Sequence, residues 1–308
     1  MPTAVITTIN DFQNTLISKI KYPAVIVGDL KTNQETYSEF DYIEAHYESK
    51  LSRLLPFNHY ARKNLGYIAA KNSDCIIDTD DDTFPNKDIF SWKSFKRDMI
   101  TAPKVPNILR LFTDQKIWPR GFPLDRVNSQ QKIETQPTSV EPSIVQSLVS
   151  GNPDVDAIWR LTRNDQISFS DNKCFVFNNN VFTQGNTQAT LWIDPNVYYL
   201  LYIPSTVSFR FCDILKMYVA QRCLWELDKN MAVCSPVFYQ ERNQHNLLDD
   251  FNSEISMYLQ TSKLIDILQS IKLEGKKEDL LTIYKELFNN GIVDSSELDI
   301  LSEWLLSM

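Results

Sequence analysis

Short β-branched runs alternate with stretches of helical spacing over the first part of the chain. Ala4–Ile9 is apolar and β-branched. Phe12, Leu16, Ile17 and Ile20 recur at helical spacing within Asp11–Lys21, and Ala24-Val25-Ile26-Val27-Gly28-Asp29 returns to a continuous apolar run. This pattern predicts a βαβ opening. Tyr60–Ala70 predicts a helix and Asp74–Ile77 a further buried strand. Asn107–Phe112 predicts another strand, and Asp154–Leu161 a strand entered through an acidic pair; Leu191–Tyr202 is apolar but broken by Pro195. Asn128–Pro142 is polar and reads as an exposed loop. Asp213 to about Leu227 is helical in period. Three helices follow, over Leu247–Leu273, Lys277–Phe288 and Ser295–Leu306, the last preceded by an Asp294-to-Glu297 capping box. The expectation is an α/β fold over residues 1–245, with a Rossmann-like, mostly parallel central sheet flanked by helices. Residues 246–308 are expected to form a helical C-terminal extension that packs on the preceding domain, with an oligomer contact and partner binding as the alternatives. Ligands of such sheets collect outside the carboxyl ends of the strands, where Asp29 and the acids of residues 78–82 fall.

Composition narrows the function classes. The chain has 308 residues, 43% of them hydrophobic, enough for one large domain with an appendage. Thirty-one Lys and Arg against 39 Asp and Glu give a net charge of −8, which argues against a general nucleic-acid binder. Cys75, Cys174, Cys212, Cys223 and Cys234 are scattered without CxxC spacing and read as buried thiols of a reducing compartment. No secretory pattern opens the sequence and no run reaches the length of a membrane span, so a soluble, cytoplasmic protein is expected. The 7 glycines form neither GxGxxG nor a P-loop.

The densest chemistry lies at Cys75-Ile76-Ile77-Asp78-Thr79-Asp80-Asp81-Asp82, where four acids crowd into five residues. Like charges at that density call for a cation, and Mg²⁺ or Mn²⁺ suits carboxylates that share it with substrate phosphates. An acidic surface turn is the bland alternative. On an extended segment either Asp78 with Asp80 or Asp80 with Asp82 falls on one side; the second pair is favoured, with Asp78 nearer the strand. A nucleotide-sugar site also needs cations for the diphosphate and polar groups for base and ribose. Thr8, Asp29 and Lys31 at strand ends, and Arg62, Lys63 and Asn64 just before the acid strand, supply those types. Trp118-Pro119-Arg120-Gly121-Phe122-Pro123-Leu124 holds Arg120 in a proline-stiffened segment, where Arg120 would meet diphosphate or a sugar hydroxyl and Trp118 a sugar face, or else the segment is a rigid loop around a buried Trp. Asp154 and Asp156 are candidates for sugar binding or acceptor activation, with an acidic strand entrance as the structural alternative. Asp213, in the first turn of a helix, is the first choice for a catalytic carboxylate, and Arg210 and Arg222 are placed to hold it or the phosphates. Of the isolated histidines His46, His59 and His245, the last is the one considered for a metal shell.

Ala61–Ala70 followed by Cys75–Asp82 resembles the R-N-x-G … DxD core of GT-A glycosyltransferases. More narrowly, Arg62–Tyr67, Ile77–Phe84, Trp118–Leu124, Asp154–Ile158 and Phe209–Lys216 with Ala220-Gln221-Arg222 resemble, in order, the STELLO-like glycosyltransferase family, across roughly residues 4–240. The resemblance implies a GT-A fold and metal-dependent sugar transfer from a nucleotide-diphosphate donor to an acceptor hydroxyl of a glycan or glycoconjugate. It implies that Asp81 faces ribose or sugar and that Asp213 is the acceptor-side acid. Plant members of the family carry a Golgi membrane anchor, which is not seen in this sequence. A sugar-nucleotide mutase of the reversibly glycosylated polypeptide type and a non-catalytic GT-A-like scaffold subunit are the alternatives.

Overall fold

The computed structural model describes residues 1–163, 165–241 and 246–308. Its centre is one 11-stranded sheet. The strands are β1 (Pro2–Thr7), β2 (Ala24–Val27), β3 (Asp41–Ile43), β4 (Cys75–Thr79), β5 (Thr83–Pro85), β6 (Lys96–Ala102), β7 (Glu134–Pro137), β8 (Ile144–Gly151), β9 (Lys173–Phe177), β10 (Ala189–Trp192) and β11 (Met231–Gln240). The helices are α1 (Lys50–Leu54), α2 (Lys63–Ala69), α3 (Ala157–Thr162), α4 (Cys212–Glu226), α5 (Leu247–Ser270), α6 (Asp279–Asn289) and α7 (Ser296–Ser307).

Strand order is β3-β2-β1-β4-β10-β8-β11-β9-β6-β7, with β5 added to β11. The β-branched runs seen in the sequence build the parallel half: β1 pairs β2 through Ala4↔Ala24 and Ile6↔Ile26, and β4 through Ala4↔Ile77. Both faces of these strands are covered, so they read as unbroken apolar runs. Beyond β4 the expectation of a mostly parallel sheet needs correction. β10 runs antiparallel to β4 and β8, β11 antiparallel to β9, and β6 antiparallel to β7. The fold is a mixed α/β sheet flanked by helices, Rossmann-like in its parallel half.

Helix α2 lies directly on that half. A Cβ on Gly66 would stand 2.6 Å from Val5 Cγ1 and 2.7 Å from Val27 Cγ2, so only glycine allows this approach. Asp11–Lys21 is not the predicted helix but two short 3₁₀ turns, Phe12–Asn14 and Ile17–Lys19. The Leu16 amide is drawn instead to the carbonyl of Asp81 (2.7 Å), tying this crossover to the acid loop. Asn107–Phe112 is a 3₁₀ turn (Ile108–Leu111) rather than a strand; Ile108, Leu109 and Phe112 are buried, at the i, i+1, i+4 spacing of a turn. Asp154–Leu161 is likewise not a strand. Asp156 caps α3 by accepting from the Ile158 amide (2.9 Å), and that cap decides the segment for helix.

The C-terminal helices share one hydrophobic core with α4: Met257, Leu264, Ile283, Leu301 and Trp304 are buried with Leu215 and Val219. The expected capping box is not formed. Ser295 caps α7 without a side-chain bond, and the Glu297 carboxylate is buried, accepting from the Ser205 and Thr206 amides (3.0 and 2.8 Å) and the Tyr202 hydroxyl. Burial raises its pKa. All five cysteines are free and buried. Among the described residues no helix is long and apolar enough to cross a membrane.

Candidate active site

The strands β1, β2 and β4 end together, and their carboxyl ends open into a cleft of about 650 Å³. Thr8, Asp29 and Lys31 line it from β1 and β2, Arg62 from the turn before α2, and Asp80, Asp81 and Asp82 from the loop after β4. Arg120, Asp154, Arg210 and Asp213 line it from the opposite side. Six of the residues picked from the sequence do not line it: Lys63, Asn64, Asp78, Trp118, Asp156 and Arg222.

The acid loop divides into distinct environments. Asp78 is fully buried at the end of β4, 2.8 Å from both Lys63 Nζ and Lys216 Nζ, with the Tyr67 hydroxyl donating at 2.8 Å. Its place as a metal ligand is therefore corrected: it lies within β4 beneath the cleft, where it neutralises two buried ammonium groups. Asp80 falls on the same side, one residue beyond the end of the strand; its side chain is 30% exposed and accepts from the Tyr60 hydroxyl and from Lys63 Nζ (3.4 Å). Burial pushes its carboxyl up to about 7 against the pull of Lys63, and the neighbouring Asp82 adds to the rise. Asp81 accepts from Thr8 Oγ1 (2.5 Å) and Asn10 Nδ2 (2.9 Å), both on Oδ2. Asp82 accepts from Thr83 Oγ1 and from Gln240 Nε2, each at 3.0 Å.

Among the described residues no three His, Cys, Asp or Glu side chains group as a metal site. Asp80 and Asp82 nevertheless have the chemistry of a two-carboxylate site: hard oxygens on one cleft wall, in mutual repulsion that a cation would relieve, for an ion completed by phosphate and water. His245, considered for such a shell, lies outside the described residues.

At the other end, Asp29 is held by the Leu30 and Asn58 amides (2.8 and 2.7 Å) and stands 3.8 Å from Arg62 Nε. Arg62 is 1% exposed and donates to the Ala45 carbonyl (2.6 Å), while its Nε and second terminal nitrogen have no hydrogen-bond partner among the described residues. Burial lowers its pKa, with Asp29 opposing. Lys31 is exposed at the rim. Asn64 is corrected to a structural role: fully buried, it clasps the Ile203 backbone, donating to the carbonyl and accepting from the amide at 2.9 Å each.

Across the cleft, Arg120 is the centre of an ionic cluster. It donates to both oxygens of Asp213 (2.8 Å each), to both oxygens of Asp154 from Nε (3.0 and 2.9 Å), and to the Arg210 carbonyl. Burial opposes the Arg120 charge, but the two carboxylates more than offset it and raise its pKa. Burial likewise opposes the Asp154 charge, yet Arg120 dominates and holds Asp154 well below the usual carboxylate range. Arg210 donates to Glu254 of α5 (2.6 Å) and stands near Asp250 and Asp154 (3.6 and 3.7 Å). Glu254 also accepts from the Ala157 amide (3.1 Å) and the Tyr258 hydroxyl (2.6 Å), so the C-terminal extension reaches the cleft wall.

Asp156 sits behind this wall, fully buried, and its correction from catalytic candidate to helix cap follows from that position. Burial, reinforced by Glu254, raises its carboxyl to about 7. A carboxyl with a folded-state pKa above its unfolded value contributes stability at acid pH that is lost as pH rises through about 7. Wild-type melting temperature should therefore fall between pH 5 and 8 relative to Asp156→Asn, which keeps the capping oxygen. Parallel pH curves for the two proteins would count against the shift.

Asn10, Tyr60 and Thr187 line the cleft without belonging to any motif, and Phe209, the first residue of the Phe209–Lys216 motif, lines it without having been singled out as a site residue. Tyr60 was legible only as a helical position, yet its hydroxyl touches Asp80, Lys63 and Thr187. His59 lines the cleft with its pKa lowered by burial, its Nδ1 accepting from the Ala61 amide (3.0 Å). Trp118 is partly buried on the core rather than facing a sugar site, and Arg222 holds the Leu268 and Ile271 carbonyls (2.8 Å each), anchoring the end of α5.

The site is thus an acid-lined cleft at the carboxyl edge of the parallel strands of a mixed α/β sheet. The chain is similar to two proteins of Arabidopsis thaliana: it is 26% identical over 278 residues to Probable glycosyltransferase STELLO1, and 24% over 278 residues to Probable glycosyltransferase STELLO2. Each match covers 82% of this chain, and the chain spans 36% of the length of each relative. Among solved structures, glucosyl-3-phosphoglycerate synthase from Mycobacterium tuberculosis in complex with phosphoglyceric acid matches with a TM-score of 0.43 and 10% identity, over 96% of this chain and 81% of that one. No family model matches.

Proposed function

We propose that this chain is a metal-dependent glycosyltransferase unit that moves a sugar from a nucleotide-diphosphate donor to an acceptor hydroxyl of a glycan or glycoconjugate. Residues 1–245 form the donor-binding catalytic part and residues 246–308 a helical buttress. The observation that carries the reading is that Asp80, Asp81 and Asp82 share one cleft with the Arg120–Asp154–Asp213 cluster. Asp80 and Asp82 would hold Mn²⁺ or Mg²⁺ together with the diphosphate. When bound, the ion supplies positive charge where the leaving group gains negative charge.

The remaining roles belong to the chain's own side chains. Arg62 brings unspent donors to the nucleotide end beside Asp29, and Lys31 adds a cation at the rim. Asp81 keeps Oδ1 clear of its Thr8 and Asn10 bonds for a donor hydroxyl. Asp213 is oriented by Arg120, which fixes both of its oxygens and leaves them as acceptors for an incoming acceptor O–H. A base in that place contributes roughly 10²–10⁴ in rate.

Asp213→Asn should accordingly keep nucleotide affinity and lower transfer by roughly 10²-fold or more; unchanged turnover would remove it as the base. The function itself is tested by thermal shift with a panel of nucleotide sugars, with and without Mn²⁺. A true donor at 100 times its Kd stabilises the fold by about 2.7 kcal/mol. A flat response to every donor favours the scaffold reading, and ring-form conversion of the donor alone favours the mutase. A cytoplasmic location is the companion proposal.

A further inference from the structure

Phe209 is an exposed aromatic beside the charged Arg120–Asp154–Asp213 wall of the cleft. It lines the pocket, yet 54% of it remains exposed. Its backbone is not loose: the Ser208 carbonyl accepts from the Phe211 and Cys212 amides (2.8 and 3.1 Å), and the following Arg210 is pinned by Glu254. The ring is braced edge-on by Tyr60 and His59, at centroid distances of 5.6 and 6.4 Å. Folding gains little from so exposed a ring, whereas a ligand that covered it would gain the burial of its apolar face.

The charge around it says which ligand. Arg120 has spent its donors on Asp154, Asp213 and a carbonyl, and Arg210 faces Glu254, Asp250 and Asp154. Among the described residues, two guanidinium groups are thus set among four carboxylates. This half of the cleft holds an excess of negative charge and repels an anionic acceptor. Resting on the glycosyltransferase reading above, we propose that Phe209 is the acceptor platform, on which the C–H face of an uncharged sugar ring stacks with a hydroxyl directed at Asp213. The acceptor is a neutral saccharide, not a phosphorylated or carboxylated small molecule.

The test uses the full chain with Mn²⁺ and the donor that the thermal-shift panel identifies. Neutral methyl glycosides and 3-phosphoglycerate are compared as acceptors, and nucleoside-diphosphate affinity is read separately by calorimetry. Phe209→Ala should raise the glycoside KM about tenfold, the scale of a lost stacking contact of about 1.4 kcal/mol. Phe209→Tyr should restore it, and nucleoside-diphosphate affinity should stay unchanged in both. An unchanged glycoside KM in Phe209→Ala overturns the proposal. So does a loss of nucleotide affinity in that variant, which would make the ring a base platform, or a higher kcat/KM for 3-phosphoglycerate than for every glycoside. A wild-type protein that binds no nucleoside diphosphate overturns the transferase reading itself, a result distinct from failure of the acceptor comparisons.

Discussion

Asp80→Asn is expected to abolish the Mn²⁺-dependent part of nucleoside-diphosphate binding while leaving the fold as stable as before. Asp80 is partly exposed in the cleft, and burial together with Asp82 disfavours its charge. Removing that charge therefore costs the metal-free protein nothing, but it takes a hard oxygen ligand from the ion. The expected loss is roughly 10²-fold in affinity, about 2.7 kcal/mol, with Asp82→Asn behaving alike. Asp78→Asn is the contrasting control. It leaves Lys63 and Lys216 buried without their counter-charge, and unpairing a buried ion of this kind costs about 3–5 kcal/mol. Calorimetric titration with Mn²⁺ and nucleoside diphosphates, beside thermal melts, separates the cases. Unchanged Mn²⁺-dependent affinity in Asp80→Asn would refute the site, and a fully stable Asp78→Asn would refute the division between binding and structural acids.

Arg120→Met is expected to have the largest structural effect. The guanidinium is nearly buried between Asp154 and Asp213, and its removal leaves two carboxylates without their partner, at a cost of about 3–5 kcal/mol. Its pH dependence follows from Asp154. Arg120 depresses the Asp154 pKa, so the pair contributes stability above the unfolded-state value near 3.8 and loses it as pH falls through the lower folded-state value. The deficit of the variant should hold from neutral pH down to about pH 4 and shrink as pH falls below the unfolded-state value near 3.8. Adding Asp154→Asn and Asp213→Asn to Arg120→Met should recover much of the stability, because the orphaned charges go with it, yet should not recover transfer. A variant as stable as wild type at pH 7, or a deficit that grows on acidification, would contradict the cluster as described.

The parallel half of the fold was legible in the sequence because both faces of its strands are covered: Ala4–Ile6, Ala24–Val27 and Cys75–Ile77 are buried throughout and needed no partner to announce them. α4 and the three C-terminal helices were legible from period and length. The mixed half was not, since β9 and β10 are short, and the neighbours of β8, β9 and β10 are set by contacts far apart in the chain, such as Thr190 with both Asp78 and Gln146. Short apolar runs misled for the same reason: residues 107–112 and 154–161 suit strand or helix until a cap or a turn hydrogen bond decides.

Within the site, the sequence by itself determined that carboxylates and cations would gather at strand ends, because charge density and strand termini are local properties. Only the tertiary structure decided which of them share solvent and which share a buried ion pair. Asp78 and Asp80 are two residues apart, yet one is sealed between Lys63 and Lys216 and the other opens to the cleft. Glu297 looked like a local helix cap and instead clamps a loop some ninety positions away. Glu254 carried no motif and Phe209 no assigned role, and their places at the cleft wall follow from the packing of α5 against the entrance to α4. Burial and long-range pairing set the energy of a charge, and neither is a property of neighbouring residues in the chain.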